Sequence, residues 1–258
     1  MREQGTAPAG AADRNGGATG QSAPPAIEVR RLVKSFGHQV ALRGVDLAVA
    51  EGEFLALFGP NGAGKTTLMR IVASLTRPSA GMVLLGGQDL GKAAATLRRR
   101  IGLISHNPLL YGDLTAEENL RFFARLYDLA DGAARIDAVL EQVGLAIRRR
   151  DPVRTYSRGM IQRLAIARAI LHDPDIMLLD EPYTGLDLQA ADMLRGVLEE
   201  LAAANRTVIL TTHNLEQGLE MCSRAAVLNR GKVAWQGQRA EVDLDTMKAV
   251  YRQATTGN

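Results

Sequence analysis

The segment Gly59-Pro60-Asn61-Gly62-Ala63-Gly64-Lys65-Thr66-Thr67 constrains this chain more than any other. It follows the apolar run Phe54 to Phe58 and precedes a helix beginning near Lys65. Strand, Gly-rich turn and helix thus succeed one another in G-x-x-x-x-G-K-T spacing. Glycines let backbone N–H groups close around phosphate oxygens where side chains would obstruct them, and the helix N-terminus adds positive potential. In this pattern Lys65 reaches the β- and γ-phosphates of a nucleotide, and the Thr66 hydroxyl serves Mg²⁺.

The surrounding pattern predicts an α/β domain. Strands are expected at Ile27 to Lys34, Val40 to Val49, Glu53 to Phe58 and Gly81 to Leu85. From Thr115 the period becomes helical. Thr115 and Glu118 form a T-x-x-E capping box ahead of a helix from Ala116 to Tyr127. Further helices are expected over Asp131 to Val143 and from Ser157 to the His172-Asp173-Pro174 breaker. Alternation then resumes: strand Asp175 to Leu179, helix Leu188 to Ala204, strand Thr207 to Thr211, helix Leu215 to Cys222. A hairpin follows, Ala225 to Leu228 and Lys232 to Gln236, around an Asn-Arg-Gly turn. Such alternation argues for a mainly parallel sheet with helices on both faces, interrupted by a helical insertion over about 107–168.

Met1 to Ala26 is rich in Gly, Ala, Gln and Pro and is expected to be a disordered tail, because it cannot bury enough surface to offset its ordering entropy. Residues 241–258 are expected to hold a short amphipathic helix and a tail, which leaves 27–240 as the folded domain.

Two further groups suggest chemistry. Ile176 to Leu179 is an apolar run ending in Asp180 and Glu181. Adjacent carboxylates at the end of a buried strand are costly unless they meet a cation. Asp180 therefore suits the metal, and Glu181 suits polarisation of an attacking water. His213 closes the strand Thr207 to Thr211, at the sheet edge where α/β proteins bind ligands.

Composition excludes several alternatives. A net charge of +3 is weak support for a nucleic-acid partner. The basic runs Arg98 to Arg100 and Arg148 to Arg150 read best as solvated helix ends. One cysteine, Cys222, permits neither an internal disulfide nor a paired-thiol metal site. No apolar run approaches the roughly 18 to 20 residues needed to cross a bilayer, and no secretory signal is expected at the N-terminus.

From Ile27 to about Gln238 the chain resembles the ATP-binding subunit of ABC transporters. The resemblance rests on ordered motifs: the Walker A loop Gly59 to Thr67, Tyr156-Ser157-Arg158-Gly159-Met160 at the signature position, and Walker B from Ile176 to Glu181. Gly185-Leu186-Asp187 then resembles the D-loop, His213 the switch histidine, and Phe36 the aromatic that stacks on adenine. The likeness implies a P-loop NTPase core with an N-terminal antiparallel β subdomain and an inserted helical signature subdomain. It also implies an ATPase dependent on ATP and Mg²⁺, working as a head-to-tail homodimer beside separate transmembrane subunits at the cytoplasmic face of the membrane. Each phosphate loop would face Ser157 and Gly159 of the other copy. Ser157 precedes a helix, so its hydroxyl and the first free N–H groups form an anion site; the phosphate loop has its own helix N-terminus, so this second one must come from elsewhere.

Two positions depart from the family pattern. His106, in Ile101-Gly102-Leu103-Ile104-Ser105-His106, stands where a glutamine usually contacts Mg²⁺, the attacking water and the membrane subunit. A protonated imidazole would repel the ion, so activity is expected to fall in acid. The signature itself reads Tyr156-Ser157-Arg158-Gly159-Met160 instead of Leu-Ser-Gly-Gly-Gln. Both departures, with Glu181-Pro182-Tyr183-Thr184-Gly185-Leu186-Asp187, resemble the haem-exporter branch, the ATPase of cytochrome c maturation. An exporter of another small molecule or polysaccharide is the alternative. Soluble ABC ATPases of translation or DNA repair fit less well, because this chain has one ATPase domain and no long coiled coil or zinc-binding cysteine cluster.

Overall fold

The computed structural model describes residues 23–256, apart from 185 and 187 and the side chain of residue 188. The expected tail and the family's D-loop residues Gly185 and Asp187 therefore lie wholly or largely outside the described residues.

Six strands build the central sheet, in the order β10 (Lys232–Gln238), β9 (Arg224–Asn229), β3 (Phe54–Phe58), β8 (Thr207–Thr211), β7 (Ile176–Asp180) and β6 (Ile101–Ile104). All neighbours run parallel except the β9–β10 hairpin. Every residue of β3, β7 and β8 is buried. That is the burial expected of a parallel sheet covered on both faces, and it explains why these segments read as continuous apolar runs.

The pleat sorts those runs into two cores. Leu55, Leu57, Leu178 and Ile209 face one side and pack with α1 (Lys65–Val72) and a second sheet. Phe54, Ala56, Phe58, Met177, Leu179, Val208 and Leu210 face the other, under α3 (Ala116–Leu126), α4 (Gly132–Gln142), α5 (Arg158–Ile170), α6 (Leu188–Ala203), α7 (Leu215–Met221) and α8 (Leu244–Thr256). The second sheet is antiparallel, ordered β2 (Gln39–Val49), β1 (Ile27–Phe36), β4 (Ala80–Leu85) and β5 (Gln88–Asp89). A short α2 (Ala94–Leu97) leads into β6. Truncating a fully buried residue such as Leu178 to Ala is expected to cost about 2–5 kcal/mol.

Local rules hold where the sequence states them. Thr115 Oγ1 accepts from Glu118 N at 3.1 Å, and Thr115 N donates to a Glu118 carboxylate oxygen at 2.8 Å, so both halves of the capping box are present. Helices α3 to α5 fill the chain between β6 and β7.

Three expectations are corrected. Ala26 is buried and its carbonyl accepts from Gly86 N at 3.0 Å, so the chain is already packed one residue before β1. Ile101–Ile104 is an edge strand absent from the expected elements. The last helix begins at Leu244, not near Glu241, because the Asp243 carboxylate accepts from Thr246 N at 2.7 Å and caps it there. The Thr246 bonds hold that carboxyl below the usual range. The basic runs are the solvated ends of short helices, as expected, and they also form ion pairs within the molecule. Arg99 pairs with Asp128, Arg100 with Asp175 at 2.8 Å, Arg148 with Asp151, and Arg149 with Asp137 at 2.6 Å and Glu117 at 2.9 Å.

Candidate active site

The site forms at the C-terminal edge of the parallel sheet, where β3, β7 and β8 end. Beyond Phe58 the backbone turns at Gly59 (φ 154°), Gly62 (φ 79°) and Gly64 (φ 109°) before α1 begins. The three glycines serve different ends. A Cβ on Gly59 would lie 2.2 Å from Leu228 O, and one on Gly64 would lie 2.7 Å from Ala41 O, so both are forced by close packing. A Cβ on Gly62 would meet nothing within 4 Å; its left-handed backbone is what requires glycine there.

Lys65 is only 7% exposed, unusual for a lysine. Its ammonium donates to Gly59 O at 2.7 Å and to Pro60 O at 3.3 Å, and lies 3.8 Å from Glu181 Oε1. A buried cation is thus aimed across the mouth of the loop. Asn61, Gly62 and Thr66 are exposed, and Ala63 is buried behind them. Pro60, Gly64 and Thr67 are half-buried.

Asp180 is the last residue of β7 and is 4% exposed. The register pairs it with Thr211 on β8, whose hydroxyl donates to Asp180 Oδ1 at 2.7 Å. Glu181 follows in the left-handed region, φ 51°, a conformation that costs a non-glycine residue about 1–3 kcal/mol. Its N–H is held at 3.1 Å by both Thr211 O and Thr211 Oγ1. That turn places the Glu181 carboxylate between Lys65 and His213, whose Nδ1 donates to Glu181 Oε2 at 2.8 Å. A carboxylate can only accept, so Nδ1 carries the proton and Nε2 is left for another partner. Thr211 was not singled out in the sequence. Its signal lay only in the strand register.

The structure thus joins Lys65, Asp180, Glu181 and His213, with the loop residues Gly59 and Pro60. It does not join every expected residue. Phe36 is 53% exposed at the end of β1, with Lys34 Nζ 4.8 Å above its ring. His106 is exposed in the turn after β6. Ser157 caps α5, accepting from Met160 N at 3.2 Å, while Gly159 lies in that helix's first turn. Among the described residues no hydrogen bond links Ser157 to the phosphate loop. Among them, too, no three His, Cys, Asp or Glu side chains form an ion site by themselves. A cation here would draw on Thr66, Asp180 and phosphate oxygens, a hard oxygen set suited to Mg²⁺.

A glycine loop at a helix N-terminus, a buried lysine and an oriented carboxylate define a nucleotide hydrolase of the phosphate-loop class. Comparison with known proteins narrows the class. The ABC transporter family matches residues 42–184. A Nod factor export ATP-binding protein I of Cupriavidus pinatubonensis is 37% identical over 238 residues, 88% of this chain and 73% of its own length. The daunorubicin resistance ATP-binding protein DrrA3 of Streptomyces coeruleorubidus is 38% identical, over 90% of this chain and 75% of its own. Among solved structures, an ATP-binding subunit of an ABC transporter superposes with TM-score 0.80 at 30% identity, covering 88% of this chain and 98% of that one. A dimeric ATP-binding cassette holding ADP and Pi superposes with TM-score 0.75 at 27% identity, covering 83% and 98%. The chain belongs to the ABC transporter family as an ATP-binding protein, and it is an ATPase.

Proposed function

We propose that this chain hydrolyses ATP at the interface of a homodimer and thereby drives a separate membrane subunit that exports a small molecule. The observation that carries the reading is the Glu181 carboxylate, suspended between Lys65 and His213 at the mouth of the phosphate loop. In this reading the N–H groups of Gly59 to Thr67 and the Lys65 ammonium hold the β- and γ-phosphates, and Phe36 stacks on adenine. Thr66 and Asp180 hold Mg²⁺, which when bound neutralises phosphate charge. Glu181 accepts a hydrogen bond from the attacking water and aligns it with the γ-phosphorus; ADP leaves and phosphate is released. His213, fixed by its Nδ1 bond, presents Nε2 to the same region.

The second half of the site is assigned to the other copy. The segment 107–168 presents Ser157 and Gly159 at the exposed start of α5, and Asp187, outside the described residues, is assigned to the dimer contact. His106 takes the place of the family's glutamine at the metal, the water and the membrane partner. Beside its loop lies a cleft of about 610 Å³, walled by Leu75, Leu109, Phe123, Leu126 and Tyr127. That cleft is the surface we assign to the membrane subunit. No helix among the described residues is long and apolar enough to cross a membrane. The proposed place is the cytoplasmic face, attached through the partner, with no nucleic acid involved.

For the cargo, the His106 and Tyr156-to-Met160 variants support the haem-exporter branch and cytochrome c maturation. The names of the relatives favour a second reading, since they are an exporter of Nod factor and resistance proteins for daunorubicin and linearmycin. Deleting the gene and measuring haem covalently attached to c-type cytochromes separates the two. Loss rescued by the wild type but not by Lys65→Ala supports haem export. Normal cytochromes would leave export of another small molecule.

A further inference from the structure

The β9–β10 turn lies outside residues 42–184 of the family match, yet it is bolted to the back of the phosphate loop. Gly231 N donates to Ala63 O at 2.9 Å, and Gly231 O accepts from Arg43 N at 2.8 Å. The fit allows no side chain: Gly231 has φ 78°, and a Cβ there would lie 2.6 Å from Ala41 O. The same Ala41 carbonyl would lie 2.7 Å from a Cβ on Gly64, so β2 is wedged between the turn and the loop. Just before the turn, Leu228 O abuts Gly59.

This contact has a consequence for phosphate binding. A trans peptide is planar, with its C=O and N–H pointing in opposite directions. Holding Ala63 C=O toward Gly231 therefore aims Gly64 N–H away from the turn and into the loop. The turn is itself held from outside. Asn229 Nδ2 donates to Ala254 O at 2.8 Å, near the end of α8, whose Met247 is fully buried. Burial and then the Glu181 carboxylate raise the Tyr251 phenol above its ordinary value, so α8 lies within electrostatic reach of the site.

The geometry points to Gly231 and Asn229 as positioning residues for ATP: the C-terminal helix holds the β9–β10 turn through Asn229, and the turn orients the Ala63–Gly64 peptide toward the phosphates. Neither residue touches nucleotide. The inference rests on the reading that Gly59 to Thr67 binds phosphate, and the experiment keeps the two apart.

Mg-ATP affinity is measured by calorimetry on full-length wild type, Asn229→Leu, Gly231→Ala and Lys65→Ala, alongside steady-state kinetics and melting temperature. Asn229→Leu is expected to raise the Kd and KM for ATP about five-fold, less than the loss of a whole charge-assisted hydrogen bond because the Gly64 N–H is tilted and not removed, with kcat within about two-fold. Gly231→Ala is expected to weaken binding further; if it does not fold, Asn229→Leu decides. Wild-type affinity in Asn229→Leu, with only a lowered melting temperature, overturns the positioning role and leaves a structural one. Wild-type affinity in Lys65→Ala overturns the phosphate-loop reading itself, and the positioning role with it.

Discussion

His213 Nδ1 lies 2.8 Å from Glu181 Oε2, bridging the ends of β8 and β7. Neither side chain reaches this position by default. Glu181 is turned out of its strand by a left-handed backbone that Thr211 pins from the neighbouring strand, and His213 follows the end of β8 two residues beyond that same threonine. The carboxylate is therefore oriented by bonds within the protein itself, with Lys65 on its other side. Such preorganisation places a group without reorganisation cost during the reaction.

Glu181→Gln keeps the size of the side chain and removes its charge. Hydrolysis is expected to fall by about 10²-fold or more, the usual contribution of a positioned base. ATP binding should persist, since Lys65 no longer has a carboxylate competing with phosphate, and an ATP-bound dimer should accumulate. Single-turnover hydrolysis and gel filtration with Mg-ATP check both points. A variant that hydrolyses at the wild-type rate would refute the role given to Glu181.

Thr211→Val tests the pin. Thr211 is fully buried, donates to Asp180 Oδ1 at 2.7 Å and accepts from Glu181 N at 3.1 Å. Valine fills the same space but leaves a buried carboxylate oxygen unsatisfied, at a cost of about 1–3 kcal/mol. Turnover should fall as well, because Glu181 loses one of the two bonds that set its turn. Urea unfolding and kcat together decide; wild-type values in both would show that the register does not hold the site.

How much of this was legible beforehand follows from the range of each interaction. The phosphate loop, the capping box at Thr115 and the Ser157 cap depend on neighbours within a few residues, and each was readable. Thr211 was not, because its role exists only once β7 and β8 align Asp180 with Thr211. The strand Ile101–Ile104 was missed for a similar reason. It is four residues long, and its Gly102 is demanded by contact: a Cβ there would lie 2.3 Å from Met177 Sδ. The arginine runs were legible as solvated helix ends, but their partners were not, because Asp128 and Asp175 are distant in sequence.

The proposed site, shared between two copies, would make two inactive variants complement each other. Lys65→Ala disables a chain's phosphate loop, and Ser157→Ala removes the α5 cap, which in stability alone costs about 1 kcal/mol. In a mixed dimer one interface combines both defects, while the other keeps an intact Lys65 and an intact Ser157. Mixing the inactive variants should therefore restore ATPase activity, up to about a quarter of the wild-type rate if chains pair at random and sites act independently. No recovery after verified subunit exchange would mean that Ser157 does not complete its partner's site, or that one intact site does not suffice.

His172 gives the fold an acid-sensitive joint away from the site. Its Nε2 bonds to Ile101 O at 3.1 Å, on the edge strand β6, and its ring stacks on Tyr127 with centroids 3.9 Å apart. Burial pushes its pKa down to about 4; Arg168 and Arg135 act in the same direction, while the Ile101 bond and Asp173 oppose it. An unfolded chain takes up this proton near pH 6.5, before the folded one does. Stability from the neutral ring is therefore complete above about pH 6.5 and is lost as pH falls toward 4, by at most about 3 kcal/mol. Below that the loss is constant. His172→Phe preserves a ring against Tyr127 but cannot titrate. Urea unfolding from pH 7 to 4 should show the wild type losing more stability than this variant, with the excess confined to that window. Parallel curves would show that the proton on His172 does not distinguish the folded chain from the unfolded one.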